Sequence, residues 1–235
     1  MSDVWSFVSH DDPALGAAFV ASLARALSAR KKRVLLIDLC PLYPALDIAL
    51  DVSDRVVYTL SDAEKMSPEA LFLSPAHKGK GEILLAPLFP GEEPSGAQVE
   101  ACLRAAKADL VLIHAQPSYA SVARAASDAV LLMTRADTAS LRAAAYLAAH
   151  EVFDVFLLTD LALTKESLRT GISLTEMADT LSLPLFGILP RISDKAFDFA
   201  VTNIAGRLLG EQVVLLDNIL TAKKQRKLYF ERASY

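Results

Sequence analysis

The stretch VWSFVSHDDPALGAAFVASLARAL, residues 4–27, decides the fold of this chain. Its apolar start predicts a buried strand from Trp5 to Val8, and the following apolar spacing predicts a helix from Ala14 to Arg30. Asp12 is a favourable N-cap for that helix, and Pro13 suits its first position. The stretch therefore predicts a strand, a tight loop and a helix, in that order.

The loop between this strand and helix has the layout of a phosphate-binding loop but not its chemistry. Such a loop uses several glycines whose N–H groups surround the phosphates, a lysine, and a Ser or Thr that holds Mg²⁺. Residues 9–18, SHDDPALGAA, contain one glycine, Gly16, no lysine, and no hydroxyl after the glycine. Asp11 and Asp12 stand where a helix N-terminus would otherwise attract an anion. The stretch predicts a nucleotide-binding frame that lacks its phosphate-binding groups.

Composition narrows the class of protein. The 235 residues are 53% apolar and 22% charged, which is typical of a globular chain with a substantial core. The net charge of -4 argues against a nucleic-acid partner. Two cysteines, Cys40 and Cys102, favour a reducing compartment. We see no signal peptide and no membrane-spanning run, so we expect a cytoplasmic protein.

Short apolar runs alternate with helical patterns along the rest of the chain. Continuous apolar runs of this kind are typical of parallel strands buried on both faces. The pattern predicts an α/β fold, with a doubly wound, mostly parallel sheet and helices on both faces. Residues 40–54 are predicted to be mostly loop, and Lys78-Gly79-Lys80-Gly81 an exposed turn. The further strands are predicted at 33–38, 82–86, 109–113, 129–133, 153–158 and 185–189, and the further helices at 58–65, 67–71, 95–107, 137–150, 174–181 and 194–209.

In a doubly wound sheet, ligands bind beyond the carboxyl ends of the strands. The residues to inspect are therefore 9–16, 38–40 and 114–118, which follow three of the predicted strands. A nucleoside triphosphatase needs acids after the last two of these strands, to hold Mg²⁺ and to position a water molecule. Asp38 is the one acid of that kind.

Several segments carry a family pattern in their order and spacing. They are KRVLLID (32–38), LDIAL (46–50), RVVYTLSD (55–62), DLVLIHAQPS (109–118), LMT (132–134) with SLRAA (140–144), LPLFGILP (183–190), and NIA (203–205) with RLLGE (207–211). Over nearly the full length, these segments resemble the MinD/ParA family of deviant Walker-A ATPases, with the MinD branch most similar. The resemblance implies a MinD-like P-loop NTPase fold.

The positions that the family uses on ATP are changed in this chain. The family loop KGGVGKTT falls on residues 11–18. Asp11 then stands for the signature lysine that reaches across the dimer, Gly16 for the phosphate-binding lysine, and Ala17 for the threonine that holds Mg²⁺. The resemblance therefore implies a degenerate Walker A loop that does not hydrolyse ATP. ATP and Mg²⁺ are expected at most as weak ligands, and no other cofactor is expected.

The same comparison extends to the neighbouring strands. Asp38 matches the family's first aspartate after the second strand. Cys40 stands where the family has the aspartate that activates water. His114 replaces the aspartate of the DxPP strand. The asparagine that reads adenine falls on Thr159 or Asp160. The resemblance thus implies changes at several points around one pocket.

His10, Cys40 and His114 should lie at the same edge of the sheet, near Asp38. Imidazole, thiol and carboxylate groups together could bind Zn²⁺ or a similar ion. The favoured interpretation is that these residues simply fill an unused pocket. A Cys–His nucleophile pair is a further alternative, although the sequence indicates no oxyanion site or substrate class for it.

The last 25 residues differ from the rest. We interpret residues 1–210 as one MinD/ParA-like α/β domain and residues 211–235 as a basic amphipathic C-terminal tail. The resemblance places this tail where MinD-like proteins carry a membrane-binding helix, and basic residues beside apolar ones suit anionic lipid. The alternative is a helix packed on the body. The expected membrane contacts are Lys223, Lys224, Arg226, Lys227, Leu228, Tyr229 and Phe230.

The leading hypothesis is a non-hydrolysing MinD/ParA-like pseudo-ATPase that acts as a scaffold or spatial positioning factor of the pilus, flagellum or division-site type. Within the family that the chain resembles, the pilus-positioning CpaE/TadZ type is one candidate, because atypical Walker A loops occur there. The expected partners are an active paralogous ATPase or a pilus, flagellar or division component, a second copy bound independently of nucleotide, and the inner face of the plasma membrane. One alternative is a weak ATP-binding switch with a membrane-associated C-terminus. Another is an enzyme with new chemistry at His10, Cys40 and His114.

Overall fold

The computed structural model describes residues 2–75, 80–161, 172–193 and 195–213 of the chain. In these residues seven strands form one sheet, in which every neighbouring pair is parallel. The strands are β1 (Asp3–Ser9), β2 (Arg33–Leu39), β3 (Glu82–Ala86), β4 (Leu110–Ala115), β5 (Ala129–Arg135), β6 (Val155–Leu161) and β7 (Leu185–Pro190). Their order is β3-β2-β4-β1-β5-β6-β7, so β1 lies in the middle. The predicted doubly wound sheet is confirmed.

Helices cover both faces of this sheet. The described helices are α1 (Pro13–Ala29), α2 (Leu46–Ala49), α3 (Pro68–Leu71), α4 (Gly96–Ala106), α5 (Ala120–Ala126), α6 (Thr138–His150), α7 (Leu174–Leu181) and α8 (Ala196–Leu208). One buried cluster joins the sheet to α1 and α8, and a second joins it to α4, α5, α6 and α7. None of the described helices is both long enough and apolar enough to cross a bilayer.

Alternation along the strands decides which side chain faces which helix layer. Leu36 of β2 belongs to the cluster under α1, whereas Leu35 and Ile37 belong to the opposite cluster. Because side chains alternate with a period of two, Asp38 lies on the α1 side with Leu36. His114 of β4 is the register partner of Asp38, so it lies on the same side. The register therefore brings both polar groups beneath the start of α1.

Some predicted elements differ from the observed ones. The predicted helix over 58–65 is wrong, because that segment forms only a 3-10 turn, Leu60–Asp62. The N–H of Leu60 donates to the carbonyl of Pro87 at 2.7 Å, which ties the segment to the loop after β3. Residues 40–54 are mostly loop, as predicted, and contain the single turn of the short helix α2. The strand predicted at 153–158 instead runs from Val155 to Leu161.

The turn before β3 is only partly described, since residues 76–79 lie outside the described residues. Gly81 donates its N–H to the carbonyl of Ser28 at 2.9 Å. A Cβ atom at Gly81 would lie 2.1 Å from the carbonyl oxygen of Lys32. Glycine is needed here because two backbone segments touch.

Candidate functional site

The loop after β1 is closed by Asp12. Asp12 is the N-cap of α1, and its Oδ1 accepts the N–H of Leu15 at 3.0 Å. Its carbonyl accepts the N–H of Gly16 and the hydroxyl of Ser9, each at 3.0 Å. The N–H of Leu15 is one of the unpaired donors that make a helix N-terminus attractive to phosphate. In this chain the carboxylate of Asp12 accepts that N–H group in place of a phosphate.

Asp11 is held by residues of the neighbouring strand and loop. One carboxylate oxygen lies 2.9 Å from Nδ1 of His10, and the other accepts the N–H of Arg135 at 3.2 Å. Burial alone would raise the pKa of Asp11, but hydrogen bonds from His10, Ser140 and the Arg135 N–H, with the charge of His10, lower it. Nε2 of His10 is buried and has no hydrogen-bond partner among the described residues. Asp11 therefore serves as an ionised anchor that joins β1 to β5.

Gly16 lies so close to His114 that a side chain at position 16 would collide with the imidazole ring. His114 is fully buried in β4, not in the predicted loop after it. A Cβ atom at Gly16 would lie 2.5 Å from Nε2 of His114 and 3.0 Å from Cβ of Ser9. A lysine at position 16 would collide with this imidazole ring. The residues present do not fit the phosphates of a nucleotide, because no lysine can be placed at position 16 and two carboxylates, Asp11 and Asp12, occupy the loop.

The carboxylate of Asp38 accepts hydrogen bonds from the backbone that follows it. The carboxylate is buried, and it accepts the N–H groups of Cys40, Ala45 and Leu46, each at 3.1 Å. These bonds fold the loop after β2 back onto the strand and satisfy the start of α2. The acid that could have held Mg²⁺ therefore stabilises local structure.

Cys40, His114 and Asp38 form one buried cluster. Sγ of Cys40 lies 3.4 Å from Nδ1 of His114, which lies 3.8 Å from Oδ1 of Asp38. One possible ligand atom from each residue lies within 4.8 Å of the others. Burial, the charge of Asp38 and its hydrogen bond raise the pKa of the Cys40 thiol well above its usual value. A thiol that stays protonated is a poor nucleophile.

From the sequence, His10 is expected beside Cys40 and His114. The structure brings Cys40 and His114 together, with Asp38 as the third member of the cluster. His10 pairs with Asp11 instead. Ala17 is fully buried on α1, where it packs in the apolar cluster on that side of the sheet.

Ion pairs that sequence analysis missed cross the edge of the sheet beside this cluster. Arg135 lies 3.3 Å from Asp12 and 3.8 Å from Asp160, and Arg191 lies 3.7 Å from Asp160. Asp160, one of the two adenine-side positions, has a φ of 55°, in the left-handed region. Thr159, the other, is buried and donates its hydroxyl to the carbonyl of Thr134 at 3.3 Å. The sequence signal that could have indicated these ion pairs is the presence of charged residues at the ends of apolar strands.

The beginning of the predicted tail packs on the body. The N–H of Glu211 donates to the carbonyl of Gly206 at 2.9 Å, and its carboxylate lies 3.5 Å from Arg30. A Cβ atom at Gly206 would lie 2.7 Å from Cγ1 of Val213, so the chain crosses α8 closely. The expected membrane contacts, Lys223 to Phe230, lie outside the described residues.

Comparison with known proteins finds solved structures that are similar in fold but low in sequence identity. No protein-family model matches the chain, and no curated protein sequence matches it. A MinC:MinD cell division protein complex from Aquifex aeolicus is similar with a TM-score of 0.77 at 19% identity, covering 91% of this chain and 98% of that chain. A ParA family ATPase from Chlorobium tepidum TLS is similar with a TM-score of 0.63 at 18% identity, covering 100% of both chains.

A third similar structure contains a nucleotide. It is cobyrinic acid a,c-diamide synthase from Mycobacterium smegmatis with bound ADP and magnesium. The TM-score is 0.69 at 20% identity, covering 92% of this chain and 99% of that chain. These identities establish the fold alone. The predicted MinD/ParA-like fold is confirmed.

Proposed function

We propose that this chain is a non-hydrolysing MinD/ParA-like pseudo-ATPase that acts as a scaffold or spatial positioning factor. The observation that carries the proposal is the contact between Gly16 and His114. A Cβ atom at position 16 would lie 2.5 Å from the imidazole Nε2, so a lysine there would meet a buried ring. Without that lysine, the negative charge of a triphosphate has no cation at this position.

The surrounding charges support the same conclusion. Asp11 and Asp12 add two carboxylates to the loop, and Asp12 already accepts a helix N–H group. Like charges at close range repel, so these carboxylates would oppose a phosphate group. The Asp38 carboxylate is committed to three backbone N–H groups. Its neighbours Cys40 and His114 offer sulfur and nitrogen, which are not the oxygen ligands that Mg²⁺ prefers.

Calorimetric titration of the full chain with Mg·ATP and Mg·ADP tests this proposal. We expect no heat of binding at sub-millimolar nucleotide. The cobyrinic acid synthase that was solved with ADP and magnesium is a suitable positive control. Sub-millimolar binding of either nucleotide would refute the proposal.

One observation favours the alternative, a weak ATP-binding switch protein. The guanidinium groups of Arg135 and Arg191 lie at the same sheet edge, and both are partly exposed. Arginine is well suited to phosphate, but both groups are already paired with Asp160. The same titration decides between the two, and loss of a measured heat in Arg135→Met would support the alternative.

The scaffold role requires a protein surface. Large apolar side chains are exposed on the segments that follow β2 and β3, namely Leu42, Tyr43, Ile48, Val57 and Phe89. A similar MinD was solved in complex with MinC, so this fold can present a partner surface. We expect the partner to be an active paralogous ATPase or a pilus, flagellar or division component. A homodimer should form without nucleotide, and light scattering with and without Mg·ATP should give the same mass.

We also propose that the protein is cytoplasmic and that its tail contacts the inner face of the plasma membrane. Residues 211–235 carry five basic residues, Lys223, Lys224, Arg226, Lys227 and Arg232, against three acids, Glu211, Asp217 and Glu231. Anionic lipid attracts such a segment, by about 1 kcal/mol for each basic residue near the surface. The test is sedimentation of the full chain with anionic vesicles. Changing Lys223, Lys224, Arg226 and Lys227 to Glu should leave the protein in the supernatant, and unchanged pelleting would reject the contact.

A further inference from the structure

We propose that Asp38, Cys40 and His114 form a binding site for a soft divalent metal ion of the zinc class. Such a site would be independent of nucleotide and of the scaffold function. The three side chains offer sulfur, nitrogen and oxygen ligands, which is a set that Zn²⁺ takes in proteins. All three are buried in the same place, on the α1 side of the sheet.

Two of the three separations between the ligand atoms are close to those around a tetrahedral ion. With a Zn–S bond of about 2.3 Å and Zn–N and Zn–O bonds of about 2.1 Å, tetrahedral angles place neighbouring ligands about 3.4–3.6 Å apart. The observed separation of Cys40 Sγ from His114 Nδ1 is 3.4 Å. The separation of His114 Nδ1 from Asp38 Oδ1 is 3.8 Å. The third pair, Cys40 Sγ and the Asp38 carboxylate, lies within 4.8 Å, so an ion would draw the three ligands together.

The backbone fixes these ligands in advance. Asp38 and His114 are register partners on the adjacent parallel strands β2 and β4, so their side chains leave the same face side by side. Cys40 follows two residues after Asp38, and its N–H donates to Asp38 Oδ1 at 3.1 Å. Two more N–H groups, from Ala45 and Leu46, hold Oδ2. Such outer hydrogen bonds are what orient a metal-binding carboxylate.

Each ligand can offer an electron pair to the ion, Cys40 after metal binding has released its thiol proton to water. A carboxylate has about four acceptor positions, and three of those on Asp38 are taken by N–H groups. The remaining position is on Oδ1, the oxygen nearer to His114. The imidazole approaches Cys40 and Asp38 with Nδ1, while Nε2 faces Gly16. Nδ1 is the nitrogen nearer to Cys40, at 3.4 Å against 3.9 Å for Nε2, and it also lies 3.8 Å from Asp38, so we assign it as the coordinating nitrogen. A water molecule would complete a four-coordinate ion.

The cluster is closed to solvent, so an ion would enter by local opening of the loop after β2. Cys40 begins the loop after β2, and the two residues Leu42 and Tyr43 of that loop are exposed, with 68% and 69% of their surface accessible. Opening of this loop would uncover the ligands without separating the strands. Local opening of an exposed loop costs much less than global unfolding.

The test is metal analysis of the full-length, untagged protein after incubation with Zn²⁺ and gel filtration. We expect about one zinc ion per chain, as a mononuclear site of this type requires. Cys40→Ser should weaken zinc binding at least about a hundredfold, because even outer-shell changes cost 10–100-fold. Cys102→Ser is the matched control, since Cys102 is also buried but lies in the apolar cluster around α4. It should retain its zinc.

Two further measurements keep the proposal falsifiable. His10→Asn should retain zinc and Asp38→Asn should lose it, whereas the reverse result would overturn the assignment of ligands. Co²⁺ in place of zinc should give the strong near-ultraviolet absorption of a thiolate ligand in the unsubstituted protein. This spectrum does not depend on whether a variant folds. A protein without bound zinc, or a Co²⁺ complex without the thiolate absorption, would overturn the proposal.

Discussion

Substitution of Gly16 by alanine should destabilise the protein, although glycine-to-alanine changes inside helices usually stabilise. Gly16 lies in the first turns of α1, where alanine would ordinarily contribute about 0.5–1 kcal/mol. Here the added methyl group would lie 2.5 Å from Nε2 of His114. Overpacking of a core costs about 1–3 kcal/mol. The sign of the effect therefore depends on whether the imidazole ring can move.

The ring has little room to move. His114 is fully buried, with Cys40 Sγ 3.4 Å from its Nδ1 and 3.9 Å from its Nε2. Ser9 also closes the position, because its Cβ would lie 3.0 Å from the new methyl group. We therefore take the upper part of the overpacking range, about 2–3 kcal/mol. After subtraction of the helix gain, Gly16→Ala should lower the free energy of unfolding by about 1–2 kcal/mol.

Urea unfolding followed by circular dichroism measures this difference, provided that the slope with urea is unchanged. Gly96→Ala is the matched control, since Gly96 is exposed at the start of α4 and its Cβ would meet nothing within 4 Å. That change should stay within about 0.5 kcal/mol. In a His114→Ala background, Gly16→Ala should no longer destabilise, which a double-mutant cycle would reveal. Equal effects of Gly16→Ala and Gly96→Ala would refute the packing on which the loss of the phosphate site rests.

The remaining predictions concern Asp11 and Gly81. The lowered pKa of Asp11 means that its ionised form stabilises the folded state above the ordinary value of 3.8, and that this contribution is lost as the pH falls through the lowered pKa. Asp11→Asn should therefore reduce the acid-side loss of unfolding free energy, and an unchanged pH slope would contradict the assigned hydrogen bonds. Gly81→Ala should cost at least about 2 kcal/mol, because its Cβ would lie 2.1 Å from the Lys32 carbonyl oxygen. A urea midpoint equal to that of Gly96→Ala would contradict this close backbone contact.

The sheet could be predicted from sequence because its signal is local. Runs such as Val34 to Ile37 are apolar on both faces, and a strand with both faces buried needs little else to be recognised. Asp12 and Pro13 likewise mark the start of α1 with local helix chemistry. The prediction of a helix at residues 58–65 was wrong for the opposite reason. Its conformation depends on Pro87, which is distant in sequence and bonds to Leu60 only after β3 has docked.

The candidate site was predictable in position but not in pairing. The rule that strand ends converge brought Asp38, Cys40 and His114 to one edge. It could not show that Asp38 would join the cluster while His10 turned to Asp11, because that depends on side-chain direction in a loop. The pairing of Arg135 with Asp12 and Asp160 was also hidden. Those residues come from three separate strand ends, and only the strand order makes them neighbours.

The side chains around the pocket fill its space and pair its hydrogen-bonding groups, so the pocket contributes to the stability of the fold. An empty phosphate site would leave helix N–H groups and a buried acid without partners, at a cost of about 1–3 kcal/mol for each buried group. In this chain Asp12 accepts the helix N–H, and Asp38 accepts three others. His114 fills the space beside Gly16 and is itself enclosed by Cys40. Because each of these groups occupies or satisfies what another leaves open, a lysine introduced at position 16 alone would break these contacts without creating a phosphate site.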